Sequence, residues 1–320
     1  MMHRTIMRAG IFILVLMATL TAAAQDTSFT TYSAYTKALK AYPNIKIVPE
    51  LHSAGVMEER GLTYCKLGTR ALKLDAFYPA KKSAKDVPAI LIVHGGGWRS
   101  GSRAQHIPLA QRLAALGYAC FTVEYRLSEE ALYPAPVTDL KSALRWIRQN
   151  HKRFNLNPKK ITALGFSAGG ELAVFIGVTA GRKEFDQGCL SSISDQVQAI
   201  IDIDGTLSFV HPESGEGDES KKPSAGALWF GATKAQNPEL WAAASPLAYA
   251  GKNTPPTLFI NSSVDRMHAG RTDYIKKLDA SKIYTEVHTF ADSPHAFCLF
   301  EPWFTPTVTY IDDFMKKIFK

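Results

Sequence analysis

Gly165-Phe166-Ser167-Ala168-Gly169 follows the short β-like run Lys160-Ile161-Thr162-Ala163-Leu164 and precedes Gly170-Glu171-Leu172-Ala173-Val174-Phe175-Ile176, which has helical spacing. A serine between glycines at a strand-to-helix switch reads as a nucleophile elbow. Such a turn crowds its neighbours, so the residues two away on either side must be small. It lifts the hydroxyl above the sheet and sets it over a helix N-terminus, an end that favours developing negative charge.

A serine hydroxyl needs a base to take its proton, a group to orient that base, and donors for the oxyanion. In this kind of fold the order along the chain is serine, then acid, then histidine. His94-Gly95-Gly96-Gly97-Trp98 follows the buried apolar run Ala89 to Val93 and reads as an oxyanion loop. Its glycines let backbone N–H groups converge without side-chain obstruction. Gly96 and Gly97 are assigned as donors, completed by the Ala168 N–H, and His94 as an anchor of the loop. Asp265, just past the strand-like Thr257 to Asn261, is taken as the acid, with Asp202 and Asp204 as rivals at the end of an earlier strand. His295, in the loop before the last helix, is taken as the base. His288 reads as a strand-face residue, while His268 and Arg266 are placed along the site.

Working outward, strand-like and helix-like segments alternate from about residue 60, which predicts an α/β fold: a mostly parallel central sheet with helices on both faces. Residues 25–60 read as an N-terminal lead-in and 61–320 as one domain. Residues 205–236 break the alternation and read as a small insertion, with an exposed loop rich in Gly, Ser, Glu and Lys over 211–223.

The 320 residues suffice for one large core. Residues 1–24 read as a signal peptide: Arg4 and Arg8 precede an apolar stretch, Ala9 to Leu20, too short to span a bilayer comfortably, and Ala22-Ala23-Ala24 offers a cleavage site. Export, with no stable membrane insertion after cleavage, is the expectation. The net charge of +8 comes without a long Lys/Arg run interleaved with aromatics, which argues against nucleic acid as a partner. The four cysteines, Cys65, Cys120, Cys189 and Cys298, have no metal-site spacing. Cys65 and Cys120 sit in apolar runs and read as free buried thiols.

Together, His94-Gly-Gly-Gly-Trp98, Tyr125-Arg126-Leu127, Gly165-Phe-Ser-Ala-Gly-Gly170, Asp265 and Pro294-His295 resemble the α/β-hydrolase esterases. The resemblance is to the hormone-sensitive-lipase-like and bacterial carbohydrate-esterase branches (acetylxylan, feruloyl and pectin esterases), and covers roughly residues 60–320. It implies a serine carboxylic ester hydrolase without metal or cofactor. The segment 297–304 resembles that of secreted esterases acting on plant polysaccharides, implying a carbohydrate ester substrate carrying acetyl, methyl or feruloyl groups. Phe166 departs from the Asp of many lipase-like relatives. Trp98, Phe297 and Trp303 are expected as an aromatic wall for sugar rings, and Arg266 as a partner for a uronate carboxylate. A serine peptidase or amidase of the same fold is the alternative, as is a binding protein that lost catalysis.

Overall fold

The computed structural model describes residues 28–215 and 222–320. The expected signal segment lies outside the described residues. The lead-in supplies helix α1 (Thr31–Ala38), capped by Thr30 in a reciprocal pair with Ser33, and the two-residue strand β1 (Lys46–Ile47). An antiparallel hairpin follows, β2 (Val56–Leu67) and β3 (Arg70–Pro79), turning at Gly68 with φ +59°. The domain sheet thus begins five residues before the expected boundary.

The alternation then runs β4 (Val87–Val93), α2 (Ile107–Ala115), β5 (Ala119–Val123), α3 (Ala135–Gln149), β6 (Leu156–Phe166), α4 (Ala168–Val178) and β7 (Ala199–Ile203). Short helices α5 (Ala225–Phe230) and α6 (Pro238–Ala243) precede β8 (Thr257–Asn261), α7 (Arg271–Ala280), β9 (Thr285–Thr289), the two-residue β10 (Phe300–Glu301) and α8 (Phe304–Ile318). The main sheet has the order β2-β3-β5-β4-β6-β7-β8-β9. The β2-β3 and β3-β5 pairs are antiparallel, and the rest parallel. This is the mostly parallel sheet that the alternation predicts, in the α/β-hydrolase arrangement that the resemblance implies.

Residue alternation along the strands splits the core in two. Ala89, Leu91 and Val93 of β4 face one side with Leu140 and Leu144 of α3 and Leu172 of α4. Ile90 and Ile92 face the other side with Leu109 and Leu113 of α2 and Phe314 of α8. Each fully buried aliphatic side chain contributes roughly 1.5–3 kcal/mol, so such central strands read as unbroken apolar runs. The lead-in joins the second layer through Ala34, Ile45 and Val48.

One expectation gains detail and one changes. The region expected as a small insertion buries Leu207, Phe209 and Trp229 completely, with Trp229 stacked on Trp98 at 4.8 Å between ring centroids, while the described residues of the expected 211–223 loop are exposed or half-buried. These three side chains are core, whereas Val210 and Leu228 of the same region are exposed, and residues 216–221 lie outside the described part. Cys65 does not stay a free thiol: it forms a disulfide with Cys189, while Cys120 and Cys298 remain free and buried.

Candidate active site

Strand β6 delivers Ser167 at its C-terminal end with φ +57° and ψ −122°, a backbone conformation that side-chain-bearing residues seldom adopt. The glycines explain how it is reached. A Cβ at Gly165 would overlap the Gly169 carbonyl, and one at Gly169 would overlap the carbonyls of Val93 and His94. The second overlap also places the root of the glycine loop directly on the first turn of α4. The Ser167 N–H donates to the Ile203 carbonyl at 2.8 Å, fastening the elbow to the adjacent β7.

His295 closes the relay. Its Nδ1 lies 2.9 Å from Asp204 Oδ2 and its Nε2 2.8 Å from Ser167 Oγ. An ionised carboxylate only accepts, so Nδ1 carries the proton and donates to Asp204, leaving Nε2 to accept from the Ser167 hydroxyl. Ser167 and His295 are brought together as the sequence predicts.

The acid is not Asp265. That residue is exposed at the start of a 3-10 turn, Asp265–His268, and no hydrogen bond or ion pair joins it to His295 among the described residues. Asp204 takes the place because β7 is the direct neighbour of β6, in register Phe166↔Ile203, whereas β8 lies one strand further out. The end of β7 therefore opens beside the elbow. Asp204, at φ +53°, is fully buried and accepts from the Ser262 N–H at 2.7 Å. His268 Nε2 sits 3.3 Å from Asp204 Oδ1. Burial pushes the Asp204 carboxyl up, but His268, His295 and the Ser262 side chain outweigh it and hold the group down at about 2. The nearby Asp202 turns away, accepting from the Gly205 N–H at 2.8 Å, and burial raises its pKa well above the usual carboxylate range. The signal for Asp204 was present in the sequence as an acid one residue past the strand after the elbow.

The glycine loop is braced on all sides. The Gly96 carbonyl accepts from the N–H groups of Arg99 and Ser100, so its own amide is turned the other way, at φ +131°. The Gly95 N–H donates to Gln105 Oε1 at 2.9 Å. The amides of Gly96 and Gly97 have no protein acceptor among the described residues. His94 anchors the loop, stacking on Tyr125 at 4.4 Å, and the Tyr125 hydroxyl donates to the His94 carbonyl at 3.0 Å. Trp98 Nε1–H donates to Glu171 Oε2 at 3.0 Å, tying the loop to α4. Glu171 is fully buried, and burial raises its pKa well above the usual carboxylate range.

The expected aromatic wall is largely core. Trp98 is buried between Trp229 and Phe209, and Phe297 is fully buried against Phe290. Apolar residues flanking a site and apolar residues beneath it look alike in sequence. Trp303 is half-buried, edge-on to Tyr42 at 5.3 Å. Arg266 is exposed, with its side chain against Gly215. His268 does reach the site, as a partner of Asp204. His288 pairs with Glu286 and stacks on Tyr310, on the face of β9 as its alternation implies.

The BD-FAE family model matches residues 74–270. Esterase LipC of Mycobacterium tuberculosis is 30% identical over 199 residues, 60% of this chain and 48% of LipC. The chain spans about half the length of the curated relatives it matches. Esterase 2 of Thermogutta terrifontis shares the structure with a TM-score of 0.66 at 25% identity, over 84% of this chain and 97% of that one. A truncated carbohydrate esterase from gut microbiota has the same fold, with a TM-score of 0.69 at 22% identity over 84% and 98% of the two chains.

Proposed function

Because the chain belongs to the BD-FAE family, and because Ser167, His295 and Asp204 form one hydrogen-bonded relay, we propose that it is an exported serine carboxylic ester hydrolase. Its substrates are plant polysaccharides or their oligosaccharides, from which it removes acetyl, or methyl or feruloyl, esters. The relay is the observation that carries this reading. Ser167 Oγ attacks the ester carbonyl while His295 Nε2 takes its proton. Asp204 holds the imidazole tautomer and offsets the charge that forms on it. The amides of Gly96, Gly97 and Ala168 receive the oxyanion, and the loss of one such donor costs roughly 3 kcal/mol of barrier. His295 returns the proton to the leaving alcohol, and then activates water to release the acid and free Ser167.

The sugar-ester assignment is supported by the carbohydrate esterase that shares the fold. Export is supported by the charged-then-apolar N-terminus and by the Cys65–Cys189 bond, since such bonds persist in oxidising compartments.

Wild-type protein should hydrolyse p-nitrophenyl acetate and release acetate from acetylated xylan or pectin, and a fluorophosphonate probe should label Ser167. Ser167→Ala should keep the fold and abolish both reactions. Turnover undiminished in Ser167→Ala, or cleavage of amides in preference to esters, would overturn the reading.

A further inference from the structure

Phe166 stands one residue before the nucleophile, and its ring is fully buried against both loops that serve Ser167. The centroid of the Phe166 ring lies 4.9 Å from that of His295, with 36° between the planes. Two rings at that separation and tilt are too close to lie side by side, so the imidazole sits over the face of the phenyl ring. On the other loop, a Cβ at Gly95 would meet Phe166 Cδ1 at 2.8 Å and the Phe166 carbonyl oxygen at 2.9 Å. The first glycine after His94 is therefore space that Phe166 takes up. Phe29 and His106 pack further out, their centroids 6.4 Å and 6.0 Å from that of Phe166. Burial holds His106 at about 3, so this second imidazole brings no charge to the ring near neutral pH.

We propose that Phe166 positions the His295 imidazole between Asp204 and Ser167, and that its ring face attracts the charge the imidazole gains on taking the serine proton. The proposal rests on the serine-relay reading above and adds a positioning residue to it, whatever ester is turned over. The face of an aromatic ring is negative, and a cation within about 6 Å of the centroid is drawn to it, more strongly where water is excluded. Phe166 is wholly screened from water. The attraction is absent while the imidazole is neutral and appears with the imidazolium, so it lowers the barrier. Asp204 acts on that charge through Nδ1, in the plane of the imidazole, whereas Phe166 acts across its face. The other titratable or charged groups around His295 come from three places. His268 stands on the far oxygen of Asp204, with the exposed Asp265 and Arg266 on the same turn. Asp292 and the buried Cys298 lie on the segment that carries His295, and His106 lies beyond the phenyl ring. All are retained in the variants below.

The test places mono-, di- and trifluorinated phenylalanine at position 166, which drains the negative face with little change of shape. Phe166→Leu, which keeps apolar bulk without a ring, is measured beside them. On p-nitrophenyl acetate, kcat/KM on the pH plateau should fall stepwise with fluorine number. The fall should reach roughly three- to thirtyfold in Phe166→Leu, the worth of a cation over a desolvated ring. The acid limb of the profile should move to lower pH in the same order, because the protonated resting enzyme loses the same attraction. In acid, resting state and transition state both carry the cation, so the deficit should close there. A ring that only fills space predicts rates indifferent to fluorine, or a loss equal at every pH. Either result would overturn the proposal and leave the relay intact. Should Phe166→Leu fail to fold, the fluorinated series decides alone. A wild type that turns over no ester, or undiminished turnover in Ser167→Ala, would overturn the serine-relay reading and this proposal with it.

Discussion

His268 Nε2 lies 3.3 Å from Asp204 Oδ1, so the carboxylate that serves His295 with one oxygen meets a second imidazole at the other. Asp204 is fully buried, and its charge depends on these neighbours. His268→Ala should lower kcat on p-nitrophenyl acetate about three- to tenfold with KM little changed, consistent with the loss of roughly 1 kcal/mol from one polar contact. His268→Gln, which keeps a donor, should recover most of the rate. Equal kcat in all three proteins would remove His268 from the machinery.

Asp204→Asn and Asp265→Asn should separate by orders of magnitude. The first reverses the donor–acceptor pattern at His295 Nδ1, a change that costs on the order of 10⁴-fold in kcat when made to such a relay. The second alters an exposed carboxylate and should change kcat less than twofold. Burst and steady-state kinetics on one chromogenic ester are enough to tell them apart.

Glu171 and Trp98 join the glycine loop to α4 through a single hydrogen bond. Since burial disfavours the charged form of Glu171 and Gln keeps an acceptor for Trp98 Nε1, Glu171→Gln should preserve both stability and rate. Glu171→Ala leaves the buried Trp98 Nε1 without an acceptor and opens a cavity beneath the elbow. It should cost about 2–3 kcal/mol in urea unfolding and reduce kcat as the glycine loop loosens.

Stability should carry a histidine signature in acid. Burial holds His94 at about 4 and His106 at about 3, below the ordinary 6.5. Between those values the unfolded chain binds protons that the folded chain refuses. Their stabilising contribution is therefore whole above about pH 6.5 and drains as pH falls toward the folded values. Asp202 and Glu171, raised by burial, slope the opposite way over the same range, so the histidine term is read as a difference. Neither ring nitrogen of His106 has a hydrogen-bond partner among the described residues, which makes His106→Leu a mild replacement. Wild type should lose stability relative to His106→Leu by roughly 1.4 kcal/mol per pH unit from about pH 6 to 4.5. Parallel stability curves for the two proteins would contradict the burial argument.

Much of this was legible in residue order. Ser167 and the glycine loop are local motifs: the steric demand at Gly165 is set by Gly169, four residues on, even though that at Gly169 comes from the Val93 and His94 carbonyls of the neighbouring strand. His295 could be placed because it follows the last long strand of the alternation. Asp204 against Asp265 could not be settled there, since the choice turns on which strand lies beside β6 in the sheet. The Cys65–Cys189 pairing spans 124 residues and depends on how the edge hairpin meets the loop after α4. Trp98 and Phe297 were misplaced for another reason: aromatic character says a ring will be desolvated, and core or ligand does that equally well.

The cross-link between β2 and the segment beyond α4 gives one translated polypeptide two covalent forms. Material recovered from a reducing cytoplasm carries two thiols where material passed through an oxidising compartment carries one bond. A constraint of that reach is worth roughly 2–4 kcal/mol. Batches with identical sequence and an identical relay would then melt at different temperatures, and a thiol titration would sort them before any comparison of variants is made.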